Sequence, residues 1–359
     1  MNILIDINHP AHVHYFKYFI QEMKNRGHKV LITASEKEIT YKLLKKYQFD
    51  FIGLGAHGTS MNKKIINLPR MIFSMYLAAR KFKPDIFLGF GSIRAAYTAA
   101  ILRKPCINFE DTEHSSGQIR MYSPFVQCIC TPSCFLRDLG RKQVRFNGYL
   151  ELAHLHPDRF TPNPDVLRET GLKESDTFII VRFISWAASH DIGHHGIRDK
   201  VRFVKFLENY GRVIITSEGD LPIDLKPNLM KISPEKLHDL LSFATLYVGE
   251  GGTMASEAAV LGTHAIHIST TAKYCGSFCD LNRYDLLWTT ENDEDTMKKA
   301  AELLLNPHLK EEGKSKRDQL YKEKIDVTAF MVWFIEKYPE SYILMKENPD
   351  IQKMFQTTR

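Results

Sequence analysis

The stretch LLSFATLYVGEGGTMASEAAVLGTHAIHI, residues 240–268, constrains the fold of this chain more than any other part. A strand, a glycine turn and the opening of a helix follow one another there without a spare residue. Residues 244–248 form an apolar run suited to a buried parallel strand, Gly249, Gly251 and Gly252 permit tight turning, and 253–261 has helical character. The first turn of such a helix leaves backbone N–H groups unpaired, and with the helix dipole they hold an anion such as phosphate. Thr253 lies in that turn, and Glu257 one turn further is placed to accept hydrogen bonds from ribose hydroxyls. Gly262 ends the helix and 265–268 begins another strand. The plain alternative is a glycine turn that only packs a helix on a strand.

The flanking sequence supports an α/β unit. SPEKLHDLL (233–241) reads as a short helix with Ser233 as N-cap and Pro234 at the first helical position. The first half of the chain alternates regularly. Strands are expected at 2–7, 29–34, 51–54, 86–89 and 106–109, and helices at 15–26, 38–47, 69–82 and 92–102. Such alternation implies parallel sheets with right-handed crossovers, whose ligands gather at the carboxyl ends of the strands.

With 359 residues, 44% hydrophobic and 25% charged, the chain can bury two cores of the usual ~150 residues each. Pro157, Pro162 and Pro164 mark the boundary. We expect one domain over residues 1–160, a second over 175–325, and C-terminal helices over 326–359 that pack back toward the first. There is no bilayer-spanning apolar run, and MNILIDI starts directly as a strand, so a cytoplasmic protein is expected. Cys128, Cys130 and Cys134 lack the paired partners of a zinc set, so neither a metal nor a cofactor is expected. A net charge of +6 without a basic block argues against nucleic acid. Residues 63–83 combine apolar residues at helical spacing with Lys and Arg at both ends, which suits peripheral contact with a membrane surface or, more plainly, a helix covering the sheet.

Three loops carry chemistry. Asn8 to His14 brings His9, His12 and His14 to the end of the first strand, where an imidazole with pKa near ~6.5 serves as general base. Glu110, Asp111, Glu113 and His114 follow the strand 106–109, and adjacent acids in unlike environments divide acid and base roles. At the end of the strand 177–183 and in the loop after it, Arg182 and Ser185 are suited to a diphosphate, Trp186 to stacking, and His190 to an oriented pair with Asp191.

The order strand, GEGGTMASE helix, strand resembles the nucleotide-sugar-binding half of GT-B glycosyltransferases, in which the glutamate matching Glu257 binds the donor ribose. PAHVHYFKYFIQEMKNRGHKV is similar to the loop-and-helix segment of the peptidoglycan N-acetylglucosaminyltransferase family, with His12 on that family's loop histidine and Pro10-Ala11 replacing its two glycines. The acidic loop is similar in position to that of non-hydrolysing UDP-N-acetylglucosamine 2-epimerases. Over the whole chain, DINHPAHVHYFK, PDIFLGFGS, NFEDTEHS, YLELAHLHPDRFTP, VRFISWAASHD and ITSEGDLP resemble the domain of unknown function 354 family. These resemblances imply a GT-B fold, two Rossmann-like domains with parallel sheets facing an interdomain cleft. They imply a metal-independent glycosyltransferase with a donor, UDP-linked, in the second domain and a glycan or lipid-linked acceptor in the first, serving surface polysaccharide or glycoconjugate synthesis. In that reading His12 deprotonates the acceptor, Glu257 holds the ribose, and Gly251, Gly252, Thr253 and Arg182 hold the diphosphate. A UDP-sugar 2-epimerase or hydrolase using the acidic loop, and a noncatalytic nucleotide-sugar-binding protein, are the other readings.

Overall fold

The computed structural model describes residues 1–56, 58, 61–184, 196–270 and 272–357. They form two compact units, Met1–Arg159 with Lys324–Arg359, and Phe160–Glu323.

The first unit is built on seven parallel strands: β1 (Asn2–Ile7), β2 (Lys29–Ala34), β3 (Phe51–Gly53), β4 (Ile86–Phe90), β5 (Cys106–Phe109), β6 (Cys128–Pro132) and β7 (Gln143–Phe146), in spatial order β3-β2-β1-β4-β5-β6-β7. Ile5 of β1 lies opposite Ile32 on one side and Leu88 on the other, so the apolar strand centres stack across the sheet. On one face Leu4 and Phe87 meet Met71, Met75 and Ala79 from the helix Met61–Phe82 and Ala95, Ala96 and Ala99 from the helix Ile93–Leu102. β6 and β7 extend the sheet beyond the alternation legible in the sequence, because Thr131, Pro132, Gln143 and Arg145 blunt their apolar signature.

Two helices start earlier than their patterns suggest. The helix expected from 15 begins at Pro10 and runs to Asn25, because His9 accepts from the Ala11 amide at 3.2 Å and Pro10 occupies the first helical position, where its missing N–H costs nothing. The helix expected from 69 begins at Met61 and carries Pro69 inside it.

The second unit has five parallel strands, β8 (Phe178–Phe183), β9 (Arg212–Ser217), β10 (Leu246–Gly249), β11 (Ala265–Ile268) and β12 (Leu287–Thr290), in order β12-β11-β10-β8-β9. Its core joins Ile179, Val181, Val248 and Ile266 of the sheet to Phe203, Val204 and Leu207 of the helix Lys200–Glu208. Gly249 is required at the end of β10, since a Cβ there would lie 2.7 Å from the Arg182 carbonyl oxygen. Ser233 does not cap a single helix as expected. Its hydroxyl bonds Glu235, a 3-10 turn covers Pro234–Lys236, and the α-helix is Leu237–Phe243.

Strand order reverses beside β1 in the first sheet and beside β8 in the second, which puts a crevice between the loops after β1 and β4 and another between those after β8 and β10. In the first unit a buried ion pair organises this region. Asp6 and Arg94 are both almost fully buried, and the guanidinium donates to Asp6 Oδ2 from Nε at 3.0 Å and to both carboxylate oxygens from Nη2 at 2.9 Å. Thr33 and Ser92 donate to the same carboxylate, at 2.9 and 2.5 Å, while Arg94 also reaches Ser35 and, at 3.0 Å, Asn8. Removing one partner strands a buried charge. Arg94→Met should therefore lower unfolding free energy by roughly 3–5 kcal/mol in urea denaturation, and a loss under ~1 kcal/mol would show the pair to be dispensable.

Candidate functional site

The earlier start of the first helix changes what the histidines do. His9 is the N-cap, and the half-buried His12 lies in the first turn with its ring 5.8 Å from that of His9 and 4.9 Å from Phe90 at the end of β4. His12 Nδ1 accepts from the Asn8 amide at 3.4 Å, which puts the proton of the neutral ring on Nε2. Burial, followed by the nearby charges of His9, Lys37 and Arg94, holds its pKa well below 6.5. A neutral imidazole at neutral pH is competent to take a proton, once the long Asn8 contact yields Nδ1 or the tautomer changes. His14 is directed elsewhere: it is buried, shares a hydrogen bond with the Tyr47 hydroxyl at 3.2 Å and stacks on His154 at 5.4 Å.

The acidic loop after β5 splits in two. Glu110 is buried, takes the amides of Asp111 and Thr112 on Oε1 at 3.2 and 3.0 Å, and takes the Tyr122 hydroxyl on Oε2 at 2.9 Å. Burial and then the Asp111 charge push its pKa up to about 8 against those hydrogen bonds. Asp111, bonded to the Thr112 hydroxyl at 2.9 Å, rises to about 6, again through burial first. Glu113 faces away: its Oε1 accepts from the Leu136 amide at 3.1 Å, its carbonyl from Arg137 at 2.9 Å, and His114 beside it is exposed. His9 and His12 thus follow β1, and Glu110 and Asp111 follow β5, at the carboxyl edge of this sheet, while His14 packs on Tyr47 and His154 and Glu113 is bound to the Leu136 amide.

In the second unit Gly251 and Gly252 open the helix Gly252–Val260, with Gly251 as its N-cap and Thr253 partly exposed in the first turn. A Cβ on Gly251 would lie 3.0 Å from Arg182 Cγ, so the arginine side chain rests directly against the turn. Its guanidinium donates to Glu218 at 2.6 Å, and both side chains keep some exposure. Glu257, one turn into the helix, is buried and held at 3.0 Å by His238 Nε2. Ser185, Trp186 and His190 lie outside the described residues.

Two residues of this region escape the sequence reading. Glu250, 3% exposed, accepts the Ile184 amide on Oε2 and the Ile197 amide on Oε1, each at 2.8 Å, so one carboxylate joins the chain after β8 to the segment before the next helix. His267 on β11 donates from Nδ1 to the Gly249 carbonyl at 3.3 Å, which leaves Nε2 as an acceptor 3.5 Å from where a Gly252 Cβ would stand. Its burial drives the pKa down to about 4, so the ring stays neutral. The turn therefore presents donor amides, a cation and an imidazole acceptor side by side. A charged residue between glycines and a histidine in an apolar strand were the available signals.

A family model described as Protein of unknown function (DUF354) matches residues 1–332. An uncharacterized protein of Methanocaldococcus jannaschii is 23% identical over 297 residues, 79% of this chain and 85% of that protein. Among solved structures, the UDP-GlcNAc 2-epimerase from Neisseria meningitidis bound to UDP-GlcNAc aligns with TM-score 0.67 at 14% identity, over 87% of this chain and 94% of that one. The glycosyltransferase SsfS6 of Streptomyces sp. SF2575 aligns with TM-score 0.60 at 13% identity, over 94% and 100%. At these identities the likeness is one of fold. The fold is the one shared by GT-B glycosyltransferases and UDP-GlcNAc 2-epimerases.

Glu110 yields a pH test. An ordinary glutamate titrates near 4.5 and the folded one near 8, so the native state holds this proton more tightly. The stability it contributes is full below pH 4.5 and is lost as pH rises to about 8. Glu110→Gln, which keeps the proton-bearing shape, should gain stability relative to the parent between those limits in urea denaturation. An equal difference at both ends would show that this carboxyl does not titrate in that window.

Proposed function

From the premise that the chain belongs to the DUF354 family, we propose that it is a nucleotide-sugar enzyme of GT-B fold that transfers a sugar from a UDP-linked donor to a glycan or lipid-linked acceptor. The observation that carries this reading is the glycine turn at the strand-order reversal of the second unit, where the N-terminus of the helix Gly252–Val260 and the Arg182 side chain meet. Gly251, Gly252, Thr253 and Arg182 take the diphosphate, whose growing negative charge in the transition state is met by preorganised amides and a guanidinium. Glu257, oriented by His238, accepts from the ribose. His12 takes the proton of an acceptor hydroxyl held by the first unit, and its lowered pKa keeps it in the base form. The solved neighbour bound to UDP-GlcNAc supports the donor class.

A second reading is favoured by the neighbouring Glu110 and Asp111, raised to about 8 and about 6, which exchange protons near neutrality as a 2-epimerase requires. The two readings separate without a known acceptor. With UDP-GlcNAc in D2O and no acceptor, epimerisation places deuterium at C2 of the sugar and hydrolysis releases UDP, whereas a transferase, which releases UDP only as the sugar passes to an acceptor, does neither.

The donor site is tested by thermal shift. UDP should raise the melting temperature of the parent, by about 2.7 kcal/mol of stabilisation at a hundredfold excess over Kd, and Glu257→Ala and Arg182→Ala should abolish the shift. His12→Ala should keep it while reducing turnover roughly 10²–10⁴-fold. Absence of a shift with any nucleotide would end the donor-site reading.

A further inference from the structure

The helix Met61–Phe82 has two apolar faces, and only one of them is used by the fold. Met71, Met75 and Ala79 are fully buried in the core of the first unit. On the other side Ile66, Phe73 and Leu77 are 72%, 60% and 53% exposed. Steps of seven and four residues bring these three onto a single stripe at 3.6 residues per turn. Basic residues border the stripe: Arg70, Arg80 and Lys81 are all exposed, and Arg80 lies 5.9 Å over the Tyr76 ring, which stacks on Phe73. The helix contains no acidic residue.

We propose that this outer face docks the protein on an anionic lipid bilayer, with Ile66, Phe73 and Leu77 entering the boundary between headgroups and acyl chains and Arg70, Arg80 and Lys81 meeting lipid phosphates. Two observations favour a bilayer over another protein. The charged residues of the helix that border the stripe are all of one sign, which matches a plane of phosphates. A second copy of the chain laid against it face to face would oppose arginine to arginine. The proposal is independent of the nucleotide-sugar reading, because it rests on a surface remote in sequence from the glycine turn.

The test is sedimentation of the full chain with vesicles of phosphatidylglycerol and phosphatidylcholine, compared with phosphatidylcholine alone. Binding should require the anionic lipid, weaken as salt is raised, and fall about tenfold or more in both Phe73→Ser/Leu77→Ser and Arg70→Gln/Arg80→Gln/Lys81→Gln. These side chains are exposed, so the melting temperature of each variant should match the parent; if it drops, Phe73→Trp supplies the answer through the blue shift of its added indole emission on anionic vesicles. No binding to anionic vesicles at low salt, binding untouched by both multiple variants, or an added emission in Phe73→Trp that does not move would overturn the proposal. So would a dimer in sedimentation equilibrium that Phe73→Ser/Leu77→Ser converts to monomer, since the stripe would then serve a second copy.

Discussion

The architecture of both units depends on how a buried carboxylate is satisfied at the carboxyl edge of a parallel sheet. Strands buried on both faces end where several loops converge, and those loops need a common polar partner that water does not supply. In the first unit Asp6 is that partner. One carboxylate ties Thr33 of β2, Ser92 after β4 and, through Arg94, Asn8 and Ser35 into one network. In the second unit Glu250 does the same with backbone groups, joining Ile184 to Ile197. The first solution fixes an ion pair and the second fixes chain ends. Asp6 lies near the end of β1 and Glu250 directly after β10, each at the point where its sheet order reverses.

Desolvation then sorts the titratable groups around these hubs. It raises Glu110 and Asp111 and lowers His12, His264 and His267, so near neutral pH the imidazoles are neutral while Glu110 keeps its proton. In the first unit burial thereby sets a proton donor, Glu110, and a proton acceptor, His12, at the carboxyl edge of one sheet, with neighbouring charges adding to each shift. Hydrogen bonds then fix the tautomers. A carbonyl only accepts, so His267 carries its proton on Nδ1 toward Gly249, whereas His12, receiving the Asn8 amide, carries its proton on Nε2.

What the sequence reveals follows from the range over which each signal acts. The strand, glycine turn and helix around Gly249 to Glu257 are local, and the turn is legible because a Cβ at Gly249 would collide with the Arg182 backbone and one at Gly251 would press on its side chain. The strands of the first half are legible because their centres are apolar on both faces. Lost were features that depend on partners far along the chain. Asp6 and Arg94 stand 88 residues apart, and in isolation each is one polar residue in an apolar run. Glu113 reads as a member of an acidic cluster until the Leu136 amide, 23 residues away, claims it. The helix start at Pro10 was hidden by a cap, His9, that lies outside the usual Ser, Thr, Asp and Asn set.

The fold is alike in a 2-epimerase and a glycosyltransferase. A helix start with glycines and an adjacent arginine is suited to a diphosphate whatever happens to the sugar, so the second unit is compatible with either chemistry. In the proposed function, discrimination between the two falls to the first unit, as a choice between the His12 imidazole and the carboxyls of Glu110 and Asp111. Transfer needs a single proton acceptor at the incoming hydroxyl, and His12 lies in the first turn of its helix with a 3.4 Å contact from the Asn8 amide to surrender. Epimerisation needs groups that give and take a proton in turn, yet Glu110 already receives two amides and a hydroxyl. To enter such a cycle it would have to release part of that shell, while Asp111, with fewer internal bonds, would not. The light holding of His12 against the full shell of Glu110 is the ground on which the proposal prefers transfer.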